Sequence, residues 1–162
     1  MNGRPPFPDL VLRAVTPEDL DALVATHRRL SPETIYRRFF TLTPDPAPLV
    51  RRHLGLVDHE DHEALVVLDG DRIVAVAQWD RARDHPDEAD VAVVVEDAWQ
   101  HRGLGTALVR ALAGDAHRHG IGVLTAGVLS DNRAGLGLAT RQRPAQVDLD
   151  GPETSFRFDL AS

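Results

Sequence analysis

Two glycines lie close together in Gln100-His101-Arg102-Gly103-Leu104-Gly105-Thr106, after a run of valines and before a stretch with helical periodicity. That order of residue types suits the binding of a bulky anion. Glycine lets the backbone approach closely, and the free N–H groups of a first helical turn, with the aligned dipole behind them, attract phosphate oxygens. Arg102 and the Thr106 hydroxyl add donors. A P-loop would need Gly-Lys at its end, and a dinucleotide fingerprint would need a small residue where Leu108 stands, so neither is present. A glycine pair can also do no more than shape a turn into a helix, and the surrounding residues must decide. His59-x-x-His62 sits among Asp58, Glu60, Asp61 and Glu63, but its spacing is loose and no second half follows, so it reads as a solvated loop and no metal site is expected.

The loop needs a scaffold, and 162 residues are enough to bury one core, so a single domain over 1–162 is expected, with 1–9 as a flexible start. With 43% hydrophobic and 27% charged residues the composition is globular. No apolar run reaches membrane-spanning length and no signal-type stretch opens the chain, so neither membrane insertion nor export is expected. The chain has no cysteine, which removes thiolate chemistry and disulfides and fits a reducing cytoplasm. All 18 basic residues are arginine, yet the net charge is −7, which opposes a broad footprint on nucleic acid and suits basic partners.

Leu10 to Val15 reads as a first strand. Thr16-Pro17-Glu18-Asp19 supplies a cap, a proline in the first helical position and early carboxylates for a helix to about Leu30, in which Leu20, Leu23, Val24 and His27 keep helical spacing. Ser31-Pro32-Glu33-Thr34 repeats the signal for a short helix through Arg38, and Leu49, Val50, His53 and Leu54 mark a third ending near Gly55. Asp58 to Glu63 is expected as a loop. Ala64 to Leu68 and Ile73 to Ala77 form a hairpin around Asp69-Gly70, and Asp90 to Val95 is the next strand. A helix then runs from the glycine loop to about His119, with Gly120 closing it, and His117 and His119 complement its negative pole. A strand from Gly122 to Leu129, a helix capped by Ser130-Asp131-Asn132 and ending at Arg141, and an alternating strand from Ser155 to Leu160 complete the order, which suits a mixed sheet covered by helices.

The segment Trp99-Gln100-His101-Arg102-Gly103-Leu104-Gly105-Thr106-Ala107-Leu108 resembles the signature of the GNAT acetyltransferases: Gln or Arg, two residues, Gly, one residue, Gly or Ala. The likeness covers nearly the whole chain, because the opening strand and helices, the hairpin, the signature helix and the Asp131-Asn132 helix start follow that family's order. It implies the GNAT fold, an α/β (α+β mixed sheet) architecture with six to seven mostly antiparallel strands, flanked by helices and splayed where acetyl-CoA binds. It implies acetyl-CoA as cosubstrate, with the backbone of Val93, Val94 and Val95 pairing with the pantetheine arm. The loop amides of Gln100, His101, Arg102, Gly103, Leu104, Gly105 and Thr106 would then take the pyrophosphate, and Asn132 would be a further cofactor-side residue. Leu30-Ser31-Pro32-Glu33-Thr34-Ile35-Tyr36-Arg37-Arg38-Phe39-Phe40 is similar to a segment of bacterial protein-lysine acetyltransferase domains, which implies a protein lysine as acceptor. A small-molecule amine, or a non-catalytic acetyl-CoA-binding domain, are the alternatives, and a homodimer is compatible with either.

A lysine ammonium has a pKa of about 10.4, so a base must remove its proton before the nitrogen can attack a thioester. Those relatives carry a glutamate where this chain has Asp90, which makes Asp90 the expected base, acting through a water because it is one methylene shorter, with Glu88 as fallback. Many family members protonate the departing thiolate with a tyrosine in the helix after the asparagine. Here Tyr36 is the only tyrosine, that helix is glycine-rich from Gly135 to Gly137, and Arg143-Pro144-Ala145 replaces the usual Gly-Phe.

Overall fold

The computed structural model describes residues Phe7 to Leu160. The chain forms a seven-stranded sheet in the order β1-β2-β3-β4-β5-β7-β6, with β1 Leu10–Ala14, β2 His62–Asp69, β3 Arg72–Arg81, β4 Glu88–Val95, β5 Val123–Leu129, β6 Gln146–Asp150 and β7 Glu153–Asp159. Every neighbouring pair is antiparallel except β4 and β5. Five helices accompany it among the described residues: α1 Leu20–Arg28, α2 Pro32–Phe39, α3 Ala47–Leu54, α4 Leu104–Arg118 and α5 Arg133–Arg141.

Both faces of the central strands are buried, so β2 and β3 read as continuous apolar runs whose alternate residues enter different cores. Leu65, Val67, Ala75 and Ala77 pack with Leu104, Leu108, Leu112 and Ala116 of α4. Ala64, Val66, Val76 and Val94 pack on the other face with Leu23, Val24, Ile35, Val50 and Leu54 of α1, α2 and α3. Each fully buried leucine contributes roughly 1.5–3 kcal/mol.

Several boundaries depart from the sequence expectation. The first helix does not start at Pro17, because Pro17–Asp19 forms a tight 3-10 turn. Asp19 reaches back to accept the Thr16 N–H at 2.8 Å and is clamped by both terminal nitrogens of Arg13, at 2.7 and 2.9 Å. The expected loop to Glu63 ends sooner, since β2 begins at His62. In the hairpin Asp69 pairs with Arg72, so the connecting residues are Gly70 and Asp71, with Gly70 at φ 64°. Strand β6 had no counterpart in the expectation. All five of its residues are exposed, so no buried face marks it, and it exists through pairing with β7 across Gly151 and Pro152.

Candidate active site

Strand β4 carries the site because it loses one neighbour part-way. It pairs with β3 from Ala89 to Val95 but with β5 only at Glu88, Ala89 and Asp90. The Glu96 N–H donates to the Val74 carbonyl at 2.8 Å, which sets the phase of the strand. Alternate residues Ala92 and Val94 therefore turn their backbone groups toward β3, while the Val91 N–H closes the last pairing with Thr125 of β5 and the backbone groups of Val93 and Val95 turn into the gap beyond it. The Val95 carbonyl there accepts a hydrogen bond from the Gln100 side-chain amide at 3.0 Å. Gln100 thus braces the end of the open edge.

The chain then makes a 3-10 turn at Asp97–Trp99 and enters α4 through Gly103, at φ 85°. A side chain would be strained there, so glycine is the residue that can make this entry. Gly105 is small for a different reason: a Cβ would approach the Leu138 side chain of α5 at 3.3 Å. The first backbone bond closing the helix runs from the Ala107 N–H to the Gly103 carbonyl, which leaves the N–H groups of Leu104, Gly105 and Thr106 without an acceptor among the described residues. They open on a cavity of about 250 Å³ lined by Val93, Val94, Val95, Gln100, His101, Gly103, Gly105, Thr106 and Asn132. Arg37, Arg38, Arg133 and Arg141 also line it. In a chain of net charge −7, four arginines around exposed amides make a local anion trap.

Two residues of the loop lie elsewhere. Leu104 is buried in the core beneath α4 and offers the cavity only its N–H, and Arg102 stacks over the Trp99 ring at 5.0 Å rather than lining the cavity. Asn132 caps α5, its Oδ1 accepting the Gly135 N–H at 3.0 Å. A Cβ at Gly135 would run into the Asn132 amide and Val128. Close packing accounts for the first glycine of α5. The four arginines escaped sequence reasoning because they come from the last turn of α2 and from both ends of α5, which only the fold brings to one rim.

A second cavity, of about 350 Å³, continues through the gap and includes Asp90, Arg38, His53, Phe39, Phe40, Val93 and Glu153. Asp90 keeps contact with solvent, yet protein crowds its carboxyl, and this desolvation raises its pKa. The Thr125 hydroxyl, donating at 3.1 Å, opposes the rise, while the charge of Asp80 adds to it. Glu88 differs. Its carboxylate takes a hydrogen bond from Arg157 at 2.6 Å, and this partner holds its pKa below the usual range, which makes it the poorer base. Tyr36 lines neither cavity. His59 and His62 diverge to separate carboxylates, Glu63 at 2.8 Å and Asp80 at 2.7 Å.

An open strand edge, a helix start bearing free amides and a ring of arginines suit a ligand with an extended amide arm and a diphosphate. Residues 29–143 match the model of a family described as acetyltransferase (GNAT) family. The chain belongs to that family. Members of that family transfer the acetyl group of acetyl-CoA to an amine. This chain is 34% identical over 125 residues to the acetyltransferase Pat of Mycolicibacterium smegmatis, a match that takes in 76% of this chain and 37% of that protein. The chain therefore spans well under half the length of that curated relative. Among solved structures, the GNAT domain of S. lividans PAT superposes with a TM-score of 0.83 at 29% identity, covering 91% of this chain and 89% of that one. An acetyltransferase from Salmonella typhimurium, solved with its cofactor acetyl-CoA, shares the fold at a TM-score of 0.69 and 19% identity, covering 95% of each chain. No helix among the described residues is long and apolar enough to cross a membrane.

Proposed function

We propose that this GNAT acetyltransferase acetylates the side-chain amine of a protein lysine, with Asp90 as the base. The gap between β4 and β5 carries the reading, because it joins the arginine-rimmed cavity to the cavity holding Asp90 through one opening beside Val93. The pantetheine arm would lie against Val93 and Val95, and the diphosphate would meet the amides of Leu104, Gly105 and Thr106 with Arg133 and Arg141 beside them. Similarity to Pat and to the S. lividans PAT domain supports a protein acceptor.

Asp90 takes one proton from the acceptor ammonium, through a water. The freed nitrogen lone pair forms the bond to the acetyl carbon, the carbon–sulfur bond breaks and the thiolate leaves with the electron pair; the nitrogen, now bonded to the acetyl group, gives its second proton to solvent, and the thiolate takes a proton from solvent. The Val93 N–H, unpaired on its open edge, supports the carbonyl oxygen as it gains charge.

Thiol release from acetyl-CoA, measured with lysine peptides, proteins and small amines, tests this reading. Release with lysine acceptors that disappears in Asp90→Ala, while calorimetry shows acetyl-CoA still bound, is the expected result. Binding without release on any acceptor would make the chain a cofactor-binding domain, a reading favoured by the lack of a tyrosine lining either cavity.

A further inference from the structure

Glu153 opens β7 in register with Leu129 of β5, yet its carboxylate leans along the sheet until it covers Gly127. It fills the space that a Cβ at residue 127 would occupy. Gly127 has no left-handed backbone requirement, so the glycine serves to seat this carboxylate. Sequence reasoning gave neither residue a role.

Glu153 is also unpaired. Among the described residues no hydrogen bond or ion pair reaches its carboxylate, whereas Glu63, Glu88 and Glu96 each hold a cationic or imidazole partner. It lines the cavity that passes through the gap and also a neighbouring hollow of about 340 Å³, and Asp90 lines the same two spaces. The one cation of that hollow, Arg157, is already engaged by Glu88. Across the gap, Arg38 donates to Gln78 at 3.1 Å and lies over the Phe39 ring. The acceptor side of the gap is thus flanked by two carboxylates, one of them without any partner, and their mutual repulsion adds to the raised pKa of Asp90. Such a pair attracts an ammonium and repels an amine that carries its own carboxylate.

We infer that Glu153 is a specificity-determining residue that binds the acceptor ammonium and selects amines with no carboxylate beside them, such as a lysine side chain, over the α-amine of a free amino acid. The inference rests on the reading of Asp90 as base, with Asp90 removing the proton and Glu153 holding the amine before it is removed.

Two variants on different strands remove the same charge from the site. Glu153→Gln neutralises it, and Gly127→Ala displaces it, because the new methyl meets only the flexible end of the glutamate and the fold is kept. Steady-state kinetics with a lysine peptide should show KM for the peptide raised about tenfold in each, with kcat and KM for acetyl-CoA within about twofold of wild type, and with no further rise in the double variant. The preference for the peptide over free alanine should fall in both. Unchanged peptide KM in Gly127→Ala, a loss confined to kcat, or effects that multiply in the double variant would overturn the inference. Persistent thiol release in Asp90→Ala would instead remove the base assignment, so the two failures are distinguishable.

Discussion

Asp80 of β3 and Asp90 of β4 are paired residues of an antiparallel ladder, two carboxylates placed side by side on the face that carries α1, α2 and α3. Like charges directly opposite are unfavourable, so the pairing costs stability and leaves Asp90 a stronger base. His62 and Gln78 hold Asp80 in place at 2.7 and 3.1 Å. The other charged or titratable groups lining the two spaces that Asp90 lines are Arg37 and Arg38 from α2, His53 from α3, Asp148 from β6, and Glu153 and Arg157 from β7.

Asp80→Asn should move the acid limb of the kcat/KM profile to lower pH. A base with a raised pKa is inactive until the pH exceeds that value, and removing a neighbouring negative charge lowers it. A pH–rate profile checks this, and a limb that stays in place while kcat falls would show Asp80 to be structural only.

Gly103→Val should weaken acetyl-CoA binding at least about tenfold while lowering stability by only roughly 1–2 kcal/mol, since no atom lies near the added Cβ and the cost is the left-handed backbone. Calorimetry and a thermal melt separate the two effects. Wild-type affinity in this variant would move the diphosphate away from the loop.

Arg133→Ala and Arg141→Ala should each raise KM for acetyl-CoA several-fold, less so at high salt, with KM for the acceptor unchanged. Initial rates at two ionic strengths test it. A rise in acceptor KM alone would assign these arginines to the other side of the gap.

His27 is buried with its Nδ1–H donating to the Leu23 carbonyl at 2.7 Å, and burial lowers its pKa to about 4. The unfolded chain holds its proton up to about pH 6.5, so stability is full above that value and falls by roughly 3 kcal/mol as the pH drops to 4. Denaturant unfolding across that range should lose this slope in His27→Gln. Below it a second loss follows, because the Arg13 clamp lowers the Asp19 pKa to about 2 and its contribution disappears as that carboxylate is protonated.

Periodicity, capping residues and turn dipeptides revealed the helices and six of the strands, because each of those elements buries a face or starts with a specific backbone demand. Strand β6 shows the limit. Its alternation of Val147 and Leu149 with acidic residues is plain, but both apolar side chains stay exposed, so no buried face sets the segment apart from a loop. In the site, the glycine loop and Asp90 were legible as local patterns. The rim arginines and the seat of Glu153 on Gly127 were not, because they depend on which distant elements lie side by side.

The parallel pairing of β4 and β5 spans three residues, after which one strand ends up bordering empty space within the middle of a sheet. A bound pantetheine arm would act as an eighth, non-peptide rung-bearer, borrowing the ladder geometry that β5 abandons. Amide hydrogens of Val93 and Val95 should then exchange quickly with deuterium in the free protein and slow down on saturation with the thioester, as though a strand had been added.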